Sequence, residues 1–276
     1  MTHFTRKTFL AALGALTLAI GAPSHAADQK LVLTGASTVA PLAAEIGKRF
    51  EGLHPGVKVD VQSGGSSRGV NDARQGLAHI GLVSRDLNPD EGDLTAWRLA
   101  LDGVGLIVNK SNPVQNLNRD QVIAIYTGQI RNWKDVGGPD LPITVVNKAE
   151  GRSTLELFLH FYKLQNSQVK AHVIAGENEQ DIKTVSANRG AIGYVSIGTA
   201  EFEVSQGVPI KLVANQGIPA TVENVRNGRY PLMRTLNLVT KGTPSPLAKQ
   251  FIEFAQSSGV QDLVKEQYFV SANTSR

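Results

Sequence analysis

Four short stretches of this chain combine hydroxyl side chains with backbone amides that a following helix would leave unpaired. They are residues 34–38 (TGAST), 66–68 (SSR), 84–85 (SR) and 152–154 (RST). Hydroxyls, helix N-terminal N–H groups and guanidinium groups are all donors, so a site made from them holds an oxyanion rather than a cation. One such loop is an ordinary capped turn. Several in one chain point to a small anion gripped from different sides. Charge-assisted hydrogen bonds contribute ~1.5–3 kcal/mol each, so a handful reaches micromolar affinity, about 8 kcal/mol, after the cost of association.

The segments around these loops read as strands feeding helices. Leu31, Val32 and Leu33 form an apolar, β-prone run, and Val39, Leu42, Ala43, Ile46 and Phe50 then recur at helical spacing. Ser37 or Thr38 suits the N-cap, with Pro41 in the first turn. Residues 57–61 alternate as a strand before GGSSRG, which lacks the Gly-Lys-Ser/Thr of a nucleotide-binding loop, and a helix is expected over 70–77. A strand over 79–83 ends on Ser84-Arg85-Asp86, and the acidic run after Pro89 predicts a helix over 89–99.

A strand over 104–108 and a loop over 109–113 read as a crossover into a second lobe. There a helix over 120–126 and a strand over 142–146 precede NKAEGRST and a helix over 155–164. A helix over 182–187, strands over 191–195 and 210–213 and a helix over 222–227 follow. Residues 236–239 return to the first lobe, and helices over 246–256 and 260–267 close the chain. Alternation of strands and helices predicts an α/β fold, largely parallel with an antiparallel edge or crossover strand. The expected division is 27–108 plus 234–276 for lobe 1 and 109–233 for lobe 2, with hinges near 101–110 and 233–238.

Composition narrows the function. The 276 residues include no cysteine, which excludes disulfides, thiolate metal sites, cysteine nucleophiles and a lipidated N-terminal cysteine. Arg6 and Lys7, the apolar run 8–21 and Ser24-His25-Ala26 predict a signal peptide over 1–26 and an exported protein with no membrane anchor. Its removal leaves 26 basic against 24 acidic residues, a charge of +2, which gives no electrostatic case for nucleic acid. The six histidines show no zinc-ligand spacing and no Gly-x-Ser-x-Gly elbow is present, so neither metal, cofactor nor catalytic residue is indicated.

At these loops the chain resembles the phosphate-binding proteins of phosphate ABC transporters, within the two-lobed solute-binding proteins. The resemblance rests on TGAST, GGSSRG, GLVSRDL and the loop ending GRST, and covers nearly the whole mature chain. It implies a two-lobed, periplasmic-binding-protein-like (type II) architecture with a ligand cleft between the lobes. The implied ligand residues are Ala36, Ser37 and Thr38, then Ser66, Ser67 and Arg68, then Ser84 and Arg85, and finally Lys148, Gly151, Arg152, Ser153 and Thr154. Arg152 and Ser153 depart from the family's Gly-Ser-Gly-Thr loop, and Lys148 stands where the family has arginine. Longer members place a carboxylate at this strand end to accept the phosphate proton; here Ser84-Arg85 stands in that region and Asp86 is the nearest carboxylate. The expectation is a soluble, monomeric, periplasmic receptor that delivers inorganic phosphate to a membrane permease without catalysis. Another oxyanion such as sulfate, molybdate or a small carboxylate, or a secreted sensor or adhesion role on the same scaffold, stays open.

Overall fold

A computed structural model describes Met1 and residues 29–272, so the expected signal segment lies outside the described residues apart from Met1. In chain order the elements are β1 (Gln29–Gly35), α1 (Ala40–Leu53), β2 (Val57–Ser63), α2 (Ser66–Gln75), β3 (Ile80–Val83), β4 (Leu94–Asn109) and β5 (Asn116–Leu117). Then come α3 (Arg119–Tyr126), β6 (Thr144–Lys148), α4 (Ser153–Tyr162), β7 (Val173–Ala175), α5 (Asn178–Ala187), β8 (Ala191–Ser196), α6 (Ile197–Ser205) and β9 (Ile210–Asn215). The chain closes with α7 (Val222–Arg226), β10 (Met233–Lys241), α8 (Pro246–Ala255), α9 (Gln261–Glu266) and β11 (Val270–Ser271). Among the described residues no helix is long and apolar enough to cross a membrane.

The main strand order is β2-β1-β3-β10-β4-β8-β6-β7. β1 is parallel to β2 and β3, and β6 is parallel to β7 and β8. At the centre β10 runs antiparallel to β3 and β4, and β4 runs antiparallel to β8 and β9, so antiparallel pairing extends further than the alternation of elements suggests.

Two apolar cores flank these central strands. Leu31 and Leu33 of β1 pack with Leu42, Ile46 and Phe50 of α1, and with Leu99, Leu236, Leu238 and Phe251. All of α1's core side chains in that set are fully buried, each contributing roughly 1.5–3 kcal/mol. The second core joins Val104, Leu106, Tyr126, Trp133, Phe158, Tyr194 and Leu232. β4 therefore leaves one core after Ala100 and enters the other at Val104, while the chain returns between Leu232 and Leu236. Val270, near the C-terminus, packs into the second core although the strands before it serve the first.

The helix expected over 89–99 does not form. Pro89–Glu91 make one 3-10 turn, capped reciprocally by Asn88 and Glu91, and the chain then enters the 16-residue strand β4. The acidic residues that suggest a helix start serve this turn. Beyond it β10 pairs with β4 from Leu94 to Gly103, and cross-strand pairing overrides the local signal.

Candidate anion-binding site

Several helix starts meet at the junction of the two cores. Ser66 is the first residue of α2, Ser153 of α4 and Asn178 of α5, while Thr38 lies just before α1. The N-termini of α1, α2 and α4 have no side-chain cap, so the positive ends of their dipoles bear on this junction. Contrary to the expected Ser37 or Thr38 cap, Val39 holds the N-cap position of α1. The Thr38 hydroxyl is used elsewhere.

That use is set by Arg234 of β10, whose side chain is 1% exposed. Its Nη2 donates to Thr38 Oγ1 at 3.1 Å, and its Nη1 donates to Thr154 Oγ1 at 2.9 Å and Ser84 Oγ at 3.3 Å. Thr38 Oγ1 also accepts from Asn178 Nδ2 at 3.1 Å. A hydroxyl that accepts from two N–H donors has its own proton free for a further acceptor. The serines close the ring. Ser66 Oγ donates to Ser153 Oγ at 3.0 Å, Ser84 and Ser153 hydroxyls lie 2.6 Å apart, and Ser84 N donates to Ser66 Oγ at 3.1 Å. Thr38, Ser66, Ser84, Ser153 and Thr154 are all buried. The cluster is rich in donors and lies beyond the ends of β1, β3 and β6, where α/β sheets bind ligands.

The two buried cations each carry their own carboxylate. Asp102 Oδ2 accepts from Arg234 Nε at 2.9 Å and Nη2 at 2.8 Å. Lys148 Nζ donates to Asp181 Oδ2 at 2.5 Å and to Asn178 Oδ1 at 3.3 Å, placing it one residue behind Thr38. Burial pushes the Asp181 carboxyl up to about 6 against the pull of Lys148, and burial likewise lowers the Lys148 ammonium against the pull of Asp181. Both shifts express one cause, the loss of water around charge.

A profile described as the PBP superfamily domain matches residues 21–258. The phosphate-binding protein PstS of Borreliella burgdorferi is 30% identical over 258 residues, spanning 90% of this chain and 92% of that protein. This chain belongs to the PBP superfamily, in the PstS family of phosphate-binding proteins. The Bacillus subtilis PstS is 28% identical over 250 residues, covering 88% of this chain and 81% of its own length. Among solved structures, a phosphate ABC transporter substrate-binding protein from Clostridium perfringens, described with bound phosphate, superposes with a TM-score of 0.83. It is 31% identical and covers 89% of this chain and all of its own. An ABC-type phosphate transport receptor from Vibrio cholerae gives a TM-score of 0.71 at 28% identity, covering 88% and 100%.

Within this PBP cleft, Ala36 N donates to the Leu82 carbonyl and its own carbonyl starts the turn into α1, with partly exposed Ser37 beside it. Ser67 N donates across the junction to the Gly151 carbonyl at 3.2 Å. The expected arginines are engaged elsewhere. Arg68 is exposed and bound to Asp72, Gln62 and the Ser63 carbonyl. Arg152 pairs with Glu177 at 3.3 Å and lies against Gly65. Arg85 is bidentate to Glu91 at 2.7 and 2.8 Å. Asp86 accepts from Thr235 Oγ1 at 2.6 Å, turned toward β10. Arg234, Asp102, Asn178 and Asp181 had no place in the sequence-derived set. The available signal for the first two was a lone charge inside a β-prone run, as in LMRTLNLV and LALDGVGL, since a charge buried in a sheet must have a partner.

Proposed function

We propose that this protein captures inorganic phosphate for an ABC transporter, holding the anion among Thr38, Ser66, Ser84, Ser153, Thr154 and Arg234. The supporting observation is that Arg234 draws hydroxyls from both halves of the molecule onto one guanidinium. Because Arg234 occupies the oxygen lone pairs of Thr38 and Thr154, those hydroxyls turn their protons toward a guest. An anion there replaces its hydration shell with fixed donors at little reorganisation cost. The protein works after export to the periplasm and removal of residues 1–26, as a soluble monomer that hands phosphate to a membrane permease. Its lobes are 27–108 with 234–276, and 109–233, hinged where β4 and β10 pass between the cores. It performs no chemistry on the ligand. Lys148 acts from behind Thr38 through Asn178.

One observation favours a second reading, another tetrahedral oxyanion. Each nearby carboxylate already has a partner: Asp102 has Arg234, Asp181 has Lys148 and Asp86 has Thr235. Hydrogen phosphate carries a proton that needs an acceptor, whereas sulfate at neutral pH does not. Calorimetry of the mature protein with phosphate, sulfate, molybdate and citrate decides between them. Micromolar or tighter binding of phosphate with weak sulfate supports the first reading, and absence of heat with phosphate ends it.

A further inference from the structure

We propose that Arg85 holds the two halves of the cleft together through Glu156, and so sets how slowly a bound anion escapes, without touching the anion. The anion's identity rests on the phosphate reading above. Arg85 follows β3, whose Ile80 and Leu82 belong to the first core. Glu156 lies in the first turn of α4, whose Leu155 and Phe158 belong to the second. The contact between them therefore crosses the junction that a hinge motion would open.

The guanidinium divides its donors between the halves. Nη1 and Nη2 grip both oxygens of Glu91, and Glu91 is itself fixed by the Asn88 amide at 2.7 Å. This leaves Nε facing across the junction, 2.7 Å from Glu156 Oε2. The N–H is not aimed at that oxygen, so the contact is an ion pair rather than an aligned hydrogen bond. Arginine's rigid planar fork means that Glu91, by orienting one edge, also presents the other. Closure then orders only the Glu156 side chain, which lowers its entropic cost. The Arg85 side chain is 11% exposed and Glu91 6%, whereas Glu156 is 38% exposed. Glu156 is thus the half of the pair that meets water when the halves part.

Two neighbouring contacts cross the same junction: Ser67 N to the Gly151 carbonyl, and Arg152 against Gly65. None of the three involves the hydroxyl cluster. They bias closure in the absence of ligand, and with ligand they slow reopening.

The test uses the mature chain. It has no cysteine, so Leu77→Cys and Val204→Cys, at exposed positions of the two halves, accept a dye pair cleanly. Glu156→Gln is expected to lower the closed fraction seen by single-molecule energy transfer without ligand. It should also speed phosphate release about fivefold in stopped flow, with association within about twofold. The difference should shrink in roughly 1 M salt. Arg85→Ala should match it, and the double variant should be no worse than either. An unchanged closed fraction and release rate in Glu156→Gln overturns the proposal. So does an Arg85→Ala defect much larger than that of Glu156→Gln and additive with it, which would put Arg85 on the anion. If Arg85→Ala does not fold, Glu156→Gln alone carries the test. If the wild type binds no phosphate, the functional reading fails while the closed-fraction comparison still tests the contact.

Discussion

Arg234 and Asp102 are register partners on β10 and β4, and both Nε and Nη2 of the arginine donate to one carboxylate oxygen. The other oxygen of Asp102 accepts from the Gly198 amide at 3.2 Å. With both side chains 1% exposed, the pair has exchanged water for each other and for fixed dipoles. One edge of the guanidinium is anchored to the strand beside it, and the rest is directed at Thr38, Ser84 and Thr154.

Removing that arginine strands a buried carboxylate. Arg234→Ala should cost about 3–5 kcal/mol of stability and abolish measurable phosphate binding. Arg234→Lys keeps the charge but loses the fork, and should weaken binding at least tenfold. Denaturant unfolding and calorimetry on each variant check both statements.

Thr38→Val changes shape little but removes the acceptor for Arg234 Nη2 and Asn178 Nδ2. Asn178 Nδ2 and one of the two Arg234 Nη2 hydrogens then lose this acceptor, at about 1–3 kcal/mol each, while Nη2 keeps Asp102. Phosphate affinity should fall at least tenfold and the melting temperature should drop. Equal affinity in Thr38→Val and wild type would remove Thr38 from the site.

The Lys148–Asp181 pair makes stability depend on pH in a defined direction. Asp181 in the folded protein titrates near 6, above its ordinary 3.8, so the native state takes up a proton that the unfolded chain does not. Its contribution is fully present below about 3.8 and is lost as pH rises through about 6. Compared with Asp181→Asn, the wild type should therefore gain stability as pH falls from 6 to 4. Urea unfolding of both proteins across that window measures the difference, and a slope of opposite sign would contradict the burial argument.

Arg68 sits outside the hydroxyl cluster, exposed and bound within its own loop and helix. Arg68→Ala should leave phosphate affinity within about twofold, as surface ion pairs contribute little. A larger loss in calorimetry would return Arg68 to the site.

Gly35 stands where β1 ends against β3. Its φ is +140°, and a Cβ there would lie 2.2 Å from the Leu82 carbonyl oxygen. Gly35→Ala should fail to fold or melt at a markedly lower temperature, because the clash is with backbone that cannot step aside. Circular dichroism against temperature tests this.

The hydroxyl half of the candidate site is legible because its signal is local. A strand, a short Ser/Thr loop and a helix start adjoin in sequence at Thr38, Ser66 and Ser153, so donors and dipole are read together. The basic half is not. Arg68, Arg85 and Arg152 adjoin those loops, yet each has an acidic partner, and only the Arg68–Asp72 pair, four residues apart on α2, is marked locally. Arg234 lies on a strand far along the chain and reaches the cluster only because β10 inserts between β3 and β4. The long β4 was hidden for a similar reason. Its first half alternates weakly, and its pairing with β10 depends on residues that are distant in sequence. Helix α6 went unread because it starts directly after β8 with only the Ser196 hydroxyl, bonded to Thr199 N, to mark the change.

The placement of β10 also has a consequence for how the molecule comes into being. The strand fills the space between β3 and β4, and apart from Val270 the second core is drawn from β4 and the chain between it and β10. During synthesis the segment that begins first is therefore completed last, with an open sheet edge on β3 until Met233–Lys241 emerges. A nascent chain stopped before Met233 would carry that raw edge uncovered.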